Sequence, residues 1–142
     1  MRYLDIDSGL DQPMRFLLLI PLLLATGAAT AAADSRSDRD ALSRALAGRT
    51  ASAPVECIDQ HLADGPQVID PQTLIYRQGR GRLWVNTLPE ACTGLRFNAV
   101  PVVQIFGGRM CRNDQFTPVA PGAIPGGTCR LGKFTPWDRP KR

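Results

Sequence analysis

The clearest hydrophobic pattern is the stretch TLIYRQGRGRLWVNTL, residues 73–88. Two β-rich runs, 74–78 and 82–88, flank Gly79-Arg80-Gly81. A three-residue connection containing glycine between alternating runs predicts a β-hairpin. With a period of two, Ile75 and Arg77 share one face of the first strand, and Leu74, Tyr76 and Gln78 share the other. On the second strand Leu83, Val85 and Thr87 alternate with Trp84, Asn86 and Leu88. Downstream, Val102–Phe106 is a short run of buried type, with Pro101 marking a strand beginning or an edge. Gly107-Gly108 breaks it, CRND at 111–114 reads as a turn, and QFTPVA starts another strand. PGAIPGGT at 121–128 is a surface loop, and CRLGKFTPW at 129–137 is a final strand with Trp137 covering the end of the core.

Upstream the pattern is weaker. VECIDQHL, from Val55, fits a short helix or a first strand, and GPQVIDPQ follows between turn residues. Residues 34–53 predict a helix of about ten residues. Ser37 or Asp38 caps it, Leu42, Ala45 and Leu46 form a thin apolar stripe, and Gly48 stops it. Such a helix is marginal alone, and the TASAP that follows reads as a linker. Five or six short strands without helical patterns between them predict a mainly β fold. A small antiparallel barrel is favoured over a sandwich, because closure removes exposed edges.

The N-terminus sets the compartment. Arg15 precedes the apolar run 16–25, and Ala31-Ala32-Ala33 precedes Asp34. Charge, apolar segment and small residues in that order form a secretory signal. About ten apolar residues are too few for a helical span, which takes roughly 20. Asp5, Asp7 and Asp11 do not suit such a leader, so Met14 is the expected start. The expected organisation is a signal peptide at 1–33, a helix and linker at 34–53, a β core at 54–138 and a polar tail at 139–142. The product is expected to be periplasmic or secreted, with no membrane span once the leader is cut. The whole chain has 142 residues and a formal charge of +4. Removing Arg2, Arg15 and the three aspartates of residues 1–33 turns +4 into +5 on the remaining 109 residues. An exported basic protein suits anionic envelope material or another envelope protein as partner. Nucleic acid is disfavoured by the compartment.

Export changes the reading of the four cysteines, Cys57, Cys92, Cys111 and Cys129. There is no C-x-x-C, so neither a zinc knuckle nor a thioredoxin-like centre is indicated. His61, the single histidine, lies four residues after Cys57 with no second ligand pair to complete a site. An even number of cysteines in an exported chain predicts two disulfides. Cys92 and Cys111 flank one strand, and Cys57 and Cys129 lie near the two ends of the core, which favours pairing them in that way.

The residues CI, VIDPQTLIY, LWVN, CTGL, RMCRND and CRLGKFTPW, in that order, carry a resemblance. Over about residues 54–138 the chain resembles a family of small exported proteobacterial proteins, of sphingomonad type, classed as a domain of unknown function. The resemblance implies export and a shared β core. It supplies no activity. Many of the broader family resemble lipoproteins, whereas this chain has no cysteine at the cleavage site to carry a lipid.

Catalysis finds little support. One imidazole and no G-x-S-x-G argue against a serine hydrolase. A carboxylate pair for glycan cleavage could come from Asp59, Asp70, Glu90 and Asp114, but Asp70, Glu90 and Asp114 stand in turn contexts. GRGR at 79–82 lacks the strand-to-helix setting of a phosphate loop. No residue set calls for a cofactor or metal. A non-catalytic binding or structural role is therefore favoured, with Tyr76 and Trp84 as stacking surfaces and Arg77, Arg80 and Arg82 as an anion clamp. The alternatives are an inhibitor of an envelope enzyme and a small carboxylate-dependent enzyme.

Overall fold

The structure, a computed structural model, describes residues 27–140. The expected leader through residue 26, the expected start at Met14 and residues 141–142 of the tail lie outside the described residues. The chain divides into the units Met1–Asp34 and Ser35–Arg142, and among the described residues every strand lies in the second.

Alternation builds the largest sheet. β1 (Thr50–Ala51), β3 (Asp64–Asp70), β4 (Thr73–Gln78), β5 (Arg82–Thr87) and β10 (Phe134–Asp138) form an antiparallel sheet in the order β1-β10-β5-β4-β3. The expected hairpin is its centre, with Gln78 opposite Arg82 and Tyr76 opposite Trp84. Gly79 takes φ +55°, the left-handed conformation that the tight connection needs. β2 (Cys57–Asp59) pairs with β7 (Arg109–Cys111), and β6 (Val100–Val103), β8 (Gln115–Val119) and β9 (Cys129–Arg130) form a third sheet in the order β6-β8-β9.

The two faces of the hairpin enter two apolar layers. Leu74, Tyr76 and Trp84, with Phe134 of the neighbouring β10, join Ile58, Met110 and Phe116, the inward residues of the facing strands. Ile75, Leu83 and Val85 face the other way and meet Leu42, Ala45, Leu46 and Trp137. The fold is a β sandwich with a helix on one outer face. The favoured barrel is not formed, because the antiparallel sheets do not close on one another. Trp137 lies in the layer that also holds Leu42 and Leu46, not over an end of the core.

The helix α1 runs Gly27–Leu46, longer than expected. The alanines at 28–33 carry high helix propensity, so Ser37 and Asp38 lie inside the helix instead of capping it. Gly48, at φ +69°, ends it as expected. The stretch read as a linker pairs with the last strand, Thr50 opposite Asp138 and Ala51 opposite Trp137. VECIDQHL resolves both ways: Cys57–Asp59 is a strand and Gln60–Leu62 a single 3-10 turn. The final run splits into β9 and β10 at Leu131-Gly132-Lys133. There the fully buried Asn86 side chain donates to the Gly132 carbonyl at 2.8 Å and accepts from its N–H at 2.9 Å.

All four cysteines are in disulfides, but not in the favoured pairs. Cys57 bonds Cys111, and Cys92 bonds Cys129. Cys57 lies directly across from Cys111 in the β2–β7 ladder, with Cα atoms 4.0 Å apart. Cys92 and Cys111 do not bracket one strand: Cys92 precedes β6, and Cys111 ends a strand of a different sheet.

Candidate functional site

Charge gathers where the hairpin tip meets the last strand. The register places Gln78, Arg82 and Asp138 side by side on β4, β5 and β10, with Thr50 beyond them on β1. Arg49 and Arg139 therefore leave the sheet at the same end as the tip residues 79–81. Both bind the tip: the Arg49 guanidinium donates to the Gly81 carbonyl, and the Arg139 N–H donates to it at 3.0 Å. Arg49 also donates to the Trp137 carbonyl at 3.4 Å.

One carboxylate, Asp138, faces this group, and Arg82 holds it in a two-point bridge at 2.7 and 2.8 Å. That bridge raises the Arg82 pKa and holds the Asp138 carboxyl below its usual range. Arg49 is pushed the other way, first by burial and then by repulsion from Arg139 and Arg77. Asp64 stands across from Arg77 in the β3–β4 register, and the Arg77 guanidinium donates to Gln67 Oε1 at 3.2 Å. A shallow cleft of about 440 Å³ opens at the tip, lined by Gln78, Gly81, Arg82, Asp138 and Arg139. Arg80 stands exposed on the turn beside it. Guanidinium groups pair with phosphate or carboxylate through parallel N–H donors, and that is the chemistry this end offers.

The five residues expected from sequence do not form one face. Tyr76 is buried against Phe134, ring centroids 5.8 Å apart, and presents no stacking surface to solvent. Burial raises its phenol pKa, and the hydroxyl has no hydrogen-bond partner. Trp84 is nearly as buried; its indole N–H donates to Gln78 Oε1 at 2.8 Å and Arg82 lies 5.1 Å over its ring. Arg82 is thus committed to Asp138 and Trp84, and Arg77 projects from the opposite face of the sheet. Of the expected set, Arg77 and Arg80 remain as outward cations. Arg49 and Arg139 were missed. One lay beside an apparent linker and the other in an apparent tail, and only the β1–β10 pairing brings them together.

Three of the four carboxylates that could serve catalysis are occupied elsewhere. Asp59 accepts from the His61 N–H at 2.8 Å, Asp70 from the Gln72 N–H at 2.6 Å, and Asp114 from the Cys111 N–H at 2.7 Å. Each carboxylate closes its own turn. His61 is exposed on the 3-10 turn. Glu90 lines a second cleft of about 420 Å³ beside the Cys92–Cys129 bridge, with Thr93, Thr128 and Arg130. Among the described residues no group of three or more His, Cys, Asp or Glu side chains is arranged to hold a metal ion, and no helix is long and apolar enough to cross a membrane.

Comparison with known proteins places the chain in a family but gives it no activity. Residues 13–141 match a family of unknown function, DUF6491. No curated protein and no solved structure matches the chain. The match spans most of the chain, which belongs to this family.

Proposed function

We infer that this member of the DUF6491 family is an exported, disulfide-fastened binding protein whose arginine-rich end takes an anionic group of an envelope component. The observation that carries the reading is the surplus of guanidinium groups around the hairpin tip. Arg49, Arg80 and Arg139 gather there, and the one carboxylate within the group, Asp138, is already held by Arg82. The Arg49 pKa is lowered first by burial and then by repulsion from Arg139 and Arg77. An arrangement of mutually repelling cations costs stability unless an anion relieves it. Export rests on the leader pattern and on two disulfides, which persist in oxidising compartments. A binding role rather than a catalytic one is supported by Asp59, Asp70 and Asp114, each of which serves its own turn.

The test is calorimetric titration of the protein, recovered from its host without reductant, with inorganic phosphate and with a polyuronic acid. Binding that weakens with salt and is lost in Arg80→Gln/Arg139→Gln supports the reading. Equal binding by the wild type and that variant, or no binding at low salt, overturns it. The intact mass of the same sample tests export: a chain beginning at Asp34 with four hydrogens fewer than the reduced form is expected.

A further inference from the structure

The third sheet carries a second surface, independent of the arginine end. The run from Val100 to Phe106 is apolar at almost every position, as a strand covered on both faces would be. One row is covered. Pro101 is buried, and Val103 and Ile105 pack against the inner core. The other row faces solvent: Val100 is 61%, Val102 54% and Phe106 85% exposed. Across the ladder, Val119 pairs with Val100 and Thr117 with Val102, so Val119 extends the same outer face. Phe97 and Ile124, in the loops at the Val100–Val119 end, are 87% and 93% exposed.

We propose that this outer face of the β6-β8-β9 sheet docks against the same face of a second copy of the chain. Three features select that occupant. The first is area. A phenylalanine buries about 150 Å² or more, so the two aromatics, three valines and Ile124 offer roughly 600–700 Å². Two such faces bury about 1,200–1,400 Å² together, within the standard range for a stable protein pair. The second is charge. Arg130 is the only charged residue in the three strands; it stands opposite Gln115 and so lies on this face at its β9 margin, and the polar positions are Gln104, Gln115 and Thr117. A face with a single charge at its margin meets its own copy with little repulsion. It gives an anionic lipid surface little to hold, since such binding draws on several basic residues at about 1 kcal/mol each. The third is the edge. The Gln104 N–H bonds the Gln115 carbonyl, so even-numbered residues of this run bond β8 and odd-numbered ones turn their backbone groups to the free edge. There Pro101 has no N–H to give. Strand addition is thus blunted and association goes through the face, as in stacked sheets.

Sedimentation equilibrium of the protein recovered from its host, disulfides intact, tests this. The wild type is expected as a monomer–dimer equilibrium. Val102→Lys should weaken association at least about tenfold by placing like charges across the two-fold. Val102→Thr, which keeps the side-chain shape, should weaken it less and guards against loss of fold in the lysine variant. Arg80→Gln, outside the face, should leave the dimer unchanged. A wild type that stays monomeric at about 100 µM, or a dimer indifferent to Val102→Lys, overturns the proposal. A monomeric wild type that floats with phosphatidylglycerol vesicles, while Val102→Lys does not, also overturns it and assigns the face to lipid.

Discussion

Two strands with nearly the same apolar character meet different fates. In β4, Leu74 and Tyr76 enter the inner core while Ile75 lies in the outer layer with Leu42, Ala45 and Leu46. In β6 the inner row is covered and the outer row, Val100 and Val102, is bare. The five-stranded sheet has apolar cover on both faces, and the three-stranded sheet on one. Burial of a valine contributes about 1.5–3 kcal/mol relative to exposure, so the third sheet forgoes several such contributions. It depends more on what fastens its margin, the Cys92–Cys129 bridge to β9. A continuous apolar run therefore says that two covers are wanted. It does not say that both come from the same chain.

The largest effect is expected where the two regions join. A Cβ on Gly132 would overlap the Thr87 carbonyl, a rigid backbone group. Gly132→Ala should give no folded protein. Asn86→Ala strips two buried backbone groups of their partners, each worth about 1–3 kcal/mol, and should cost about 2–5 kcal/mol in urea unfolding. The disulfides come next. The Cys92–Cys129 bridge closes a separation of 37 residues, which the chain-entropy model values at about 4 kcal/mol. Cys92→Ser/Cys129→Ser should lose amide protection first over Val100–Val119, with β4 and β5 still protected. Simultaneous loss across all three sheets would remove the distinction between a doubly and a singly covered sheet.

The hairpin was legible because its partners are close in sequence and its strict alternation sorts the side chains into the two sets that the two faces carry. The β1–β10 edge was not legible, since Ala51 and Trp137 are brought together only by long-range pairing. Arg49 and Arg139 went unseen for the same reason. The cysteines show the limit in another form. Flanking a strand suggested that Cys92 and Cys111 were neighbours, but Cys111 lies in a ladder with β2, where Cys57 is its direct partner. Tyr76 and Trp84 carried an aromatic signal that suits a stacking site and a core equally. Strand parity decides between them here, because both share the inward face with Leu74.

The helix supplies a smaller test of the double cover. Leu46 packs half-buried against the outer layer. Leu46→Ala should cost about 1–2 kcal/mol, below the 2–5 kcal/mol range of full burial, and should speed amide exchange in β4 and β5 but not in β6. Equal acceleration in β6 would mean that the sheets share one cooperative unit and that their unequal cover has no local consequence.

The smallest effect is expected at the Arg82–Asp138 bridge on the margin of the five-stranded sheet. Both side chains are more than one-third exposed, so water screens the pair and its worth is about 0.2–1 kcal/mol. The bridge lowers the Asp138 pKa. A carboxylate that binds its proton less readily when folded stabilises the fold above its unfolded pKa, near 4. That contribution disappears as pH falls through the lower folded value. Asp138→Asn should therefore be slightly less stable than wild type at neutral pH and indistinguishable from it in acid, by urea unfolding at matched ionic strength. High salt should shrink the neutral-pH gap as well. A gap of several kcal/mol, or one that persists in acid, would mean that Asp138 does more than bridge Arg82. The carboxylate would then be restraining Arg49 and Arg139 as a group, and the five-stranded sheet would depend on a charged margin as much as on its double cover.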